Sequence, residues 1–217
     1  MDLNKARQEL QAAGRYMLAN DLCWGNAGNI SARLGSDRYL ITASGTNLGE
    51  LNDEDFVECS FDGPLTVGRK PSKETPMHQA IYEQRLEIGA VLHASPFYST
   101  LVACADIQVP ADLFVEDMYY LERVAHVSYC HPGSPALGQA VDAQARQANI
   151  LILENHGVLV YDTSIQEALM GLHTFEMVCR MAITARSAGL NLRSLPASTV
   201  ADFLTNSGYR PRRVWQP

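Results

Sequence analysis

The sequence lacks any apolar run of about 18 residues, the least a helix needs to cross a bilayer. Its opening stretch, MDLNKARQELQAAGRYML, mixes both signs of charge and has no apolar signal-peptide core. A soluble, cytoplasmic chain is therefore expected. Cysteine is scarce and unpaired. The five cysteines (Cys23, Cys59, Cys104, Cys130, Cys179) are odd in number and have no C-x-x-C spacing, which argues against a disulfide framework or a cysteine-rich zinc module. There is no basic excess either: 17 Lys and Arg stand against 24 Asp and Glu, a net charge of −7. Neither nucleic acid nor an anionic membrane finds a general attractive field. Repeats, low-complexity tracts and linkers are missing, and 15 glycines and 10 prolines are ordinary usage. What remains is 217 residues, 47% hydrophobic and 19% charged, enough for one globular domain over 1–217 with a tail from about residue 205 that carries Arg210, Arg212 and Arg213.

Periodicity orders the elements. Leu3, Ala6, Leu10, Ala13, Tyr16 and Met17 recur at helical spacing, predicting a helix from Leu3 to about Leu22. Ile30 to Leu34 and Tyr39 to Thr42 flank Gly35-Ser36-Asp37 as a hairpin, and Phe56 to Phe61 reads as a further strand. Pro76 suits the first turn of a helix over Thr75 to Arg85. Ala90 to His93, His126 to Cys130, Asn149 to Leu153 and Gly157 to Tyr161 read as strands. Pro96 to Cys104, Pro135 to Gln147 and Ser164 to Ala188 read as helices, and Glu116 to Val124 is ambiguous. The alternation predicts an α/β layered domain.

Polar groups at the ends of apolar strands are the candidates for chemistry, because the backbone there is fixed. His93 closes Ala-Val-Leu, His156 lies in the Glu154-Asn155-His156 turn between two apolar strands, and Glu74 opens a helix. Two imidazoles and a carboxylate suit a divalent transition metal, Zn first and also Mn, Co or Fe, although each histidine read singly also fits a structural role. Gly25-Asn26-Ala27-Gly28-Asn29, Thr42-Ala43-Ser44-Gly45 and Pro71-Ser72-Lys73 could together cradle a phosphate with backbone N–H groups, hydroxyls and one cation. Any one of these segments taken alone reads first as ordinary turn chemistry. His78 reads as a core or capping group, His126 and His173 as structural, and Ser95 as a helix N-cap. No Walker, dinucleotide or Ser/His/Asp signature occurs.

Taken in order, Gly-Asn-Ala-Gly-Asn-Ile-Ser (25–31), Ile-Thr-Ala-Ser-Gly (41–45), Lys-Pro-Ser-Lys-Glu (70–74), Val-Leu-His (91–93) and Glu-Asn-His-Gly (154–157) resemble the motif series of the class II aldolase/adducin family. The resemblance runs from about residue 5 to Tyr209. It implies a three-layer αβα sandwich around a mainly antiparallel sheet, assembled as a C4 homotetramer with active sites between subunits. By motif position it makes Glu74, His93 and His156 metal ligands, with Glu74 also catalytic. Gly28, Asn29, Ser44, Gly45, Ser72 and Lys73 fall at phosphate- or substrate-binding positions. Tyr209 resembles a C-terminal tyrosine that acts on protons at a neighbouring subunit's site.

The sequence departs from the pattern in two places that bear on chemistry. Where the family's metal motif reads His-x-His, this chain has His93-Ala94-Ser95, and Lys73 replaces a second serine. The resemblance implies a metal-dependent lyase that cleaves a carbon–carbon bond of a small phosphorylated ketose or keto sugar acid through an enediolate. Decarboxylation of the 3-oxo-tetronate 4-phosphate type and pentulose-phosphate 4-epimerisation are the alternatives on the same scaffold. A non-catalytic, adducin-like binding module is the alternative of another class.

Overall fold

Alternation of side chains along eight strands decides the architecture. In the computed structural model, which describes residues 1–209 and 211–215, the strands are β1 (Asn29–Arg33), β2 (Arg38–Thr42), β3 (Phe56–Ser60), β4 (Gly63–Pro64), β5 (Ala90–Ala94), β6 (Val124–Val127), β7 (Ile150–Leu153) and β8 (Gly157–Asp162). They form one sheet in the order β4-β3-β2-β1-β5-β8-β7-β6, antiparallel throughout except for β6 beside β7. The helices are α1 (Leu3–Ala19), α2 (Thr75–Gln84), α3 (Phe97–Ala103), α4 (Val115–Tyr120), α5 (Pro135–Ala145), α6 (Ile165–Ala188) and α7 (Ala197–Asn206).

Ile30, Leu40, Leu92, Ile152 and Val160 point to one face of the sheet and pack with Leu10 and Met17 of α1 and Leu172 and Phe175 of α6. Their sequence neighbours Ile41, Val91, Leu151, Leu159 and Tyr161 point the other way, onto Met77 and Ile81 of α2 and Leu137 and Val141 of α5. Strand side chains alternate between faces, so each apolar strand feeds two cores at once. The result is the expected αβα sandwich with a mainly antiparallel sheet. No described helix is long and apolar enough to cross a membrane.

The structure corrects several sequence expectations. Helix α1 stops at Ala19, three residues early, because Asn20 turns its amide onto the Tyr16 carbonyl and Asp21 adopts a left-handed φ of 57°, a conformation Asp and Asn tolerate better than most. The strand expected at His126 to Cys130 lies at Val124–Val127 instead. Its partner β7 ends at Leu153, opposite Val127, and turns away, so residues beyond Val127 have no ladder to join. The ambiguous stretch resolves into α4 followed by the start of β6. Helix α7 was not anticipated. Beyond it the chain returns to the domain: Arg213 is buried and pairs with Asp162 and Glu122, and Trp215 lies between the guanidinium groups of Arg85 and Arg123, at 4.6 and 4.3 Å. Arg210, which the sequence reading counted in the tail, lies outside the described residues.

Candidate metal centre and its cleft

Three chain segments that are distant in sequence meet at one end of β5. His93 sits next to last on that strand, and antiparallel pairing places it opposite Asn29 on β1 and Leu159 on β8. His156 occupies the turn between β7 and β8, where Asn155 takes a positive φ of 54° and donates its N–H to the Ala103 carbonyl. Glu74 precedes α2, held by a hydrogen bond from its N–H to Ser72 Oγ (3.2 Å). Close backbone approach makes this possible at two glycines. A Cβ on Gly28 would lie 2.6 Å from the His93 carbonyl oxygen, and one on Gly157 would lie 2.5 Å from the Ala94 carbonyl oxygen.

The outcome is a set of converging donors. One ligating atom each from Glu74, His93 and His156 lies within 4.8 Å of the others, and no second such group of His, Cys, Asp or Glu occurs among the described residues. Nε2 of His93 is 3.4 Å from Glu74 Oε2, and Nε2 of His156 is 3.1 Å from Glu74 Oε1. The His156 contact lacks hydrogen-bond alignment, so buried Oε1 has no donor of its own. His93 directs Nδ1 at the Val158 carbonyl (3.0 Å). Nδ1 therefore carries the proton, and Nε2 presents a lone pair toward Glu74.

Electrostatics favour the ligating forms. Burial keeps His93 neutral by lowering its pKa, against the pull of Glu74. Burial also resists ionisation of Glu74, but positive charge on the His156 and His93 side of the carboxylate and an amide hydrogen bond from Asn29 (2.7 Å) outweigh it, so that with such a charge in place the carboxyl titrates at about 2. A carboxylate with an orphaned buried oxygen, facing two imidazole nitrogens that do not donate to it, is a donor set that fits a divalent cation.

The cleft beside these donors has a volume of about 390 Å³. It is lined by all nine single-chain candidates: Gly28, Asn29, Ser44, Gly45, Ser72, Lys73, Glu74, His93 and His156. Pairing of Ala43 with Pro71, and Ser72 N–H to the Thr42 carbonyl, zip two of the loops together along its wall. A larger depression of about 870 Å³, between residues 106–113 and the end of α6, has no comparable cluster. Tyr209 stands apart, 62% exposed and stacked on Phe203.

Ser95 is not the N-cap expected of it. Helix α3 is entered through Pro96 with no side-chain cap, and Ser95 Oγ instead donates to the His156 carbonyl (3.2 Å). The side chain at the missing imidazole's position thus braces the turn that carries His156. Trp24 Nε1 holds the Ser95 carbonyl at 3.0 Å. Pro132 also lines the cleft; its segment follows β6, and no local pattern in the sequence points to it.

A sandwich that gathers a carboxylate and two imidazoles beside a small polar cleft defines a scaffold able to hold a cation against an anionic ligand. The chain belongs to the class II aldolase and adducin family. The model of the Class II Aldolase and Adducin N-terminal domain matches residues 8–183. A relative from Haemophilus influenzae, named 3-oxo-tetronate 4-phosphate decarboxylase, is 32% identical over 94% of this chain and 98% of its own length. An L-fuculose phosphate aldolase from Methanocaldococcus jannaschii is 28% identical over 73% of this chain and 85% of its own. Among solved structures, YgbL from Klebsiella pneumoniae superposes with a TM-score of 0.86 at 27% identity, covering 94% of this chain and 99% of that one.

Proposed function

We propose that the protein is a metal-dependent carbon–carbon lyase that decarboxylates a small phosphorylated 3-oxo sugar acid. The observation that carries this reading is the convergence of Glu74, His93 and His156 beside Lys73 in one cleft. The decarboxylase name of the relative matched along nearly its whole length supports it. A divalent transition metal held by the three residues, zinc first, would supply Lewis-acid polarisation of the substrate carbonyl.

The chain's own groups do the rest. Backbone and hydroxyl donors of Gly28, Asn29, Ser44, Gly45 and Ser72 grip the phosphate, and Lys73 adds a charge that pairs with phosphate or carboxylate. Holding the substrate at both ends fixes the bond to be broken. As carbon dioxide leaves, the pair of the broken carbon–carbon bond is delocalised onto the 3-oxo oxygen as an enolate, and the carbon that bore the carboxylate then takes up a proton. Glu74 Oε1, which has no hydrogen-bond donor, takes a proton from solvent in the open cleft and passes it to that carbon, returning to the carboxylate. The reading includes a cytoplasmic C4 homotetramer in which exposed Tyr209 reaches a neighbour's cleft and moves protons there.

Aldol cleavage of a phosphorylated ketose is the second reading, favoured by the aldolase relative. Product analysis on the metal-loaded protein separates the two: carbon dioxide is expected, an aldehyde would indicate the aldolase, and a changed stereocentre would indicate an epimerase. Protein that binds no metal and turns over none of these substrates would be an adducin-like binding module, and the lyase reading would fall.

A further inference from the structure

Behind the cleft, polar side chains continue into the core, where apolar packing would be the simpler solution. His78 and Tyr82 are fully buried on α2, one turn apart, and face Ser31 on β1. His78 Nε2 lies 2.6 Å from Asn29 Oδ1, His78 Nδ1 lies 2.7 Å from Ser31 Oγ, and Ser31 Oγ lies 2.8 Å from the Tyr82 hydroxyl. Asn29 Nδ2 in turn lies 2.7 Å from Glu74 Oε2. Five side chains thus form a single string that ends on the carboxylate.

Donor and acceptor inventory fixes the direction of every link. This rests on Glu74 being a metal ligand, hence a carboxylate that only accepts. Asn29 must therefore turn its NH₂ toward Glu74, which leaves Oδ1 facing His78. Oδ1 only accepts, so the His78 proton is on Nε2. In the neutral ring Nδ1 then accepts, Ser31 donates to it, and the Tyr82 hydroxyl donates to Ser31. Burial is the first cause that keeps the ring neutral, and its pKa lies at about 3.

We propose that His78 is a positioning residue for the metal centre: through its Nε2–H it fixes the Asn29 amide, and Asn29 in turn fixes the Glu74 carboxylate. The alternative amide orientation would aim a carbonyl oxygen at the carboxylate and push it away from the cation. Groups that orient a metal ligand in this way commonly change metal affinity by about 10 to 100-fold.

Zinc affinity, measured by competition against a chromophoric chelator, tests the chain of action independently of turnover. His78→Leu is expected to weaken zinc binding by about 10 to 100-fold. His78→Gln, which can donate to Asn29 and accept from Ser31, should recover most of that loss. In an Asn29→Ala background His78→Leu should have no further effect, because the intermediary is gone. If His78→Leu does not fold, Ser31→Ala removes the donor to Nδ1, together with the acceptor of the Tyr82 hydroxyl, and should give a several-fold loss that likewise vanishes with Asn29→Ala. In ¹⁵N-labelled wild type the His78 ring should be the Nε2–H tautomer. Wild-type affinity in folded His78→Leu or Ser31→Ala, multiplicative losses in the double variants, or an Nδ1–H ring would each overturn the proposal. A wild type that binds no zinc would instead bring down the reading of the metal centre, and the proposal with it.

Discussion

The contact between Gly28 and β5 offers the sharpest test of how the backbone builds the site. Gly28 has a φ of 91°, and an added Cβ would lie 2.6 Å from the His93 carbonyl oxygen. Gly28→Ala therefore carries two penalties. The positive φ alone disfavours an L side chain by about 1–2 kcal/mol. The contact must also open by roughly 0.8 Å to reach ordinary separation, a displacement of the kind overpacking imposes at about 1–3 kcal/mol. Together they predict about 2–5 kcal/mol of lost stability.

The displaced carbonyl belongs to His93 itself, so the imidazole moves with it. Gly189 supplies the control: its φ is 67° but a Cβ there meets nothing within 4 Å, and it caps α6 rather than lining the cleft. Gly189→Ala should lose only about 1–2 kcal/mol and bind zinc as wild type does. Gly28→Ala should lose more stability and also about 10-fold or more in zinc affinity, because misplacement of a fixed group by an ångström can change its chemistry by about 100-fold. Urea unfolding and chelator competition measure the two effects. Equal stability losses in both variants, with zinc affinity unchanged, would refute the claim that Gly28 sets the position of His93.

Other consequences follow from buried charge and from the cleft. Arg213→Ala strips the partner from Asp162, which is only 3% exposed, and should cost about 3–5 kcal/mol in urea unfolding; a loss below 1 kcal/mol would mean that the C-terminal segment is not docked in solution. His78 has a folded pKa of about 3 against 6.5 in the unfolded chain. The unfolded state therefore binds the extra proton, and stability falls as pH drops from about 6.5 toward 3, by at most about 1.4 kcal/mol per unit. His78→Gln should flatten that slope in pH-dependent unfolding, and an unchanged slope would contradict the assignment. Lys73→Met should lower kcat/KM for the phosphorylated acid by about 10 to 100-fold, the worth of a charge-assisted hydrogen bond. A substrate without its phosphate should react poorly with wild type, and equal turnover with and without it would remove the phosphate cradle.

Much of this architecture is legible in the chain itself. Strand alternation and helical spacing are local properties, so the elements and their two-faced burial follow from neighbouring residues. The ordered motifs carry the family, and with it Glu74, His93 and His156. Errors fell where a partner elsewhere decided the matter. The end of β7 decided where β6 stops, and the buried Asp162 drew the C-terminal segment back onto the domain.

Ser95 followed a helix-start pattern, yet its hydroxyl serves the His156 carbonyl across 61 positions. His78 looked like one more core or capping histidine, and only the alignment of α2 over β1 linked it through Asn29 to Glu74. Composition and periodicity determine which residues are apolar, which turn and which can bind. Which polar atoms finally face one another is a matter of distances between segments far apart in sequence, and the packed sheet alone sets these.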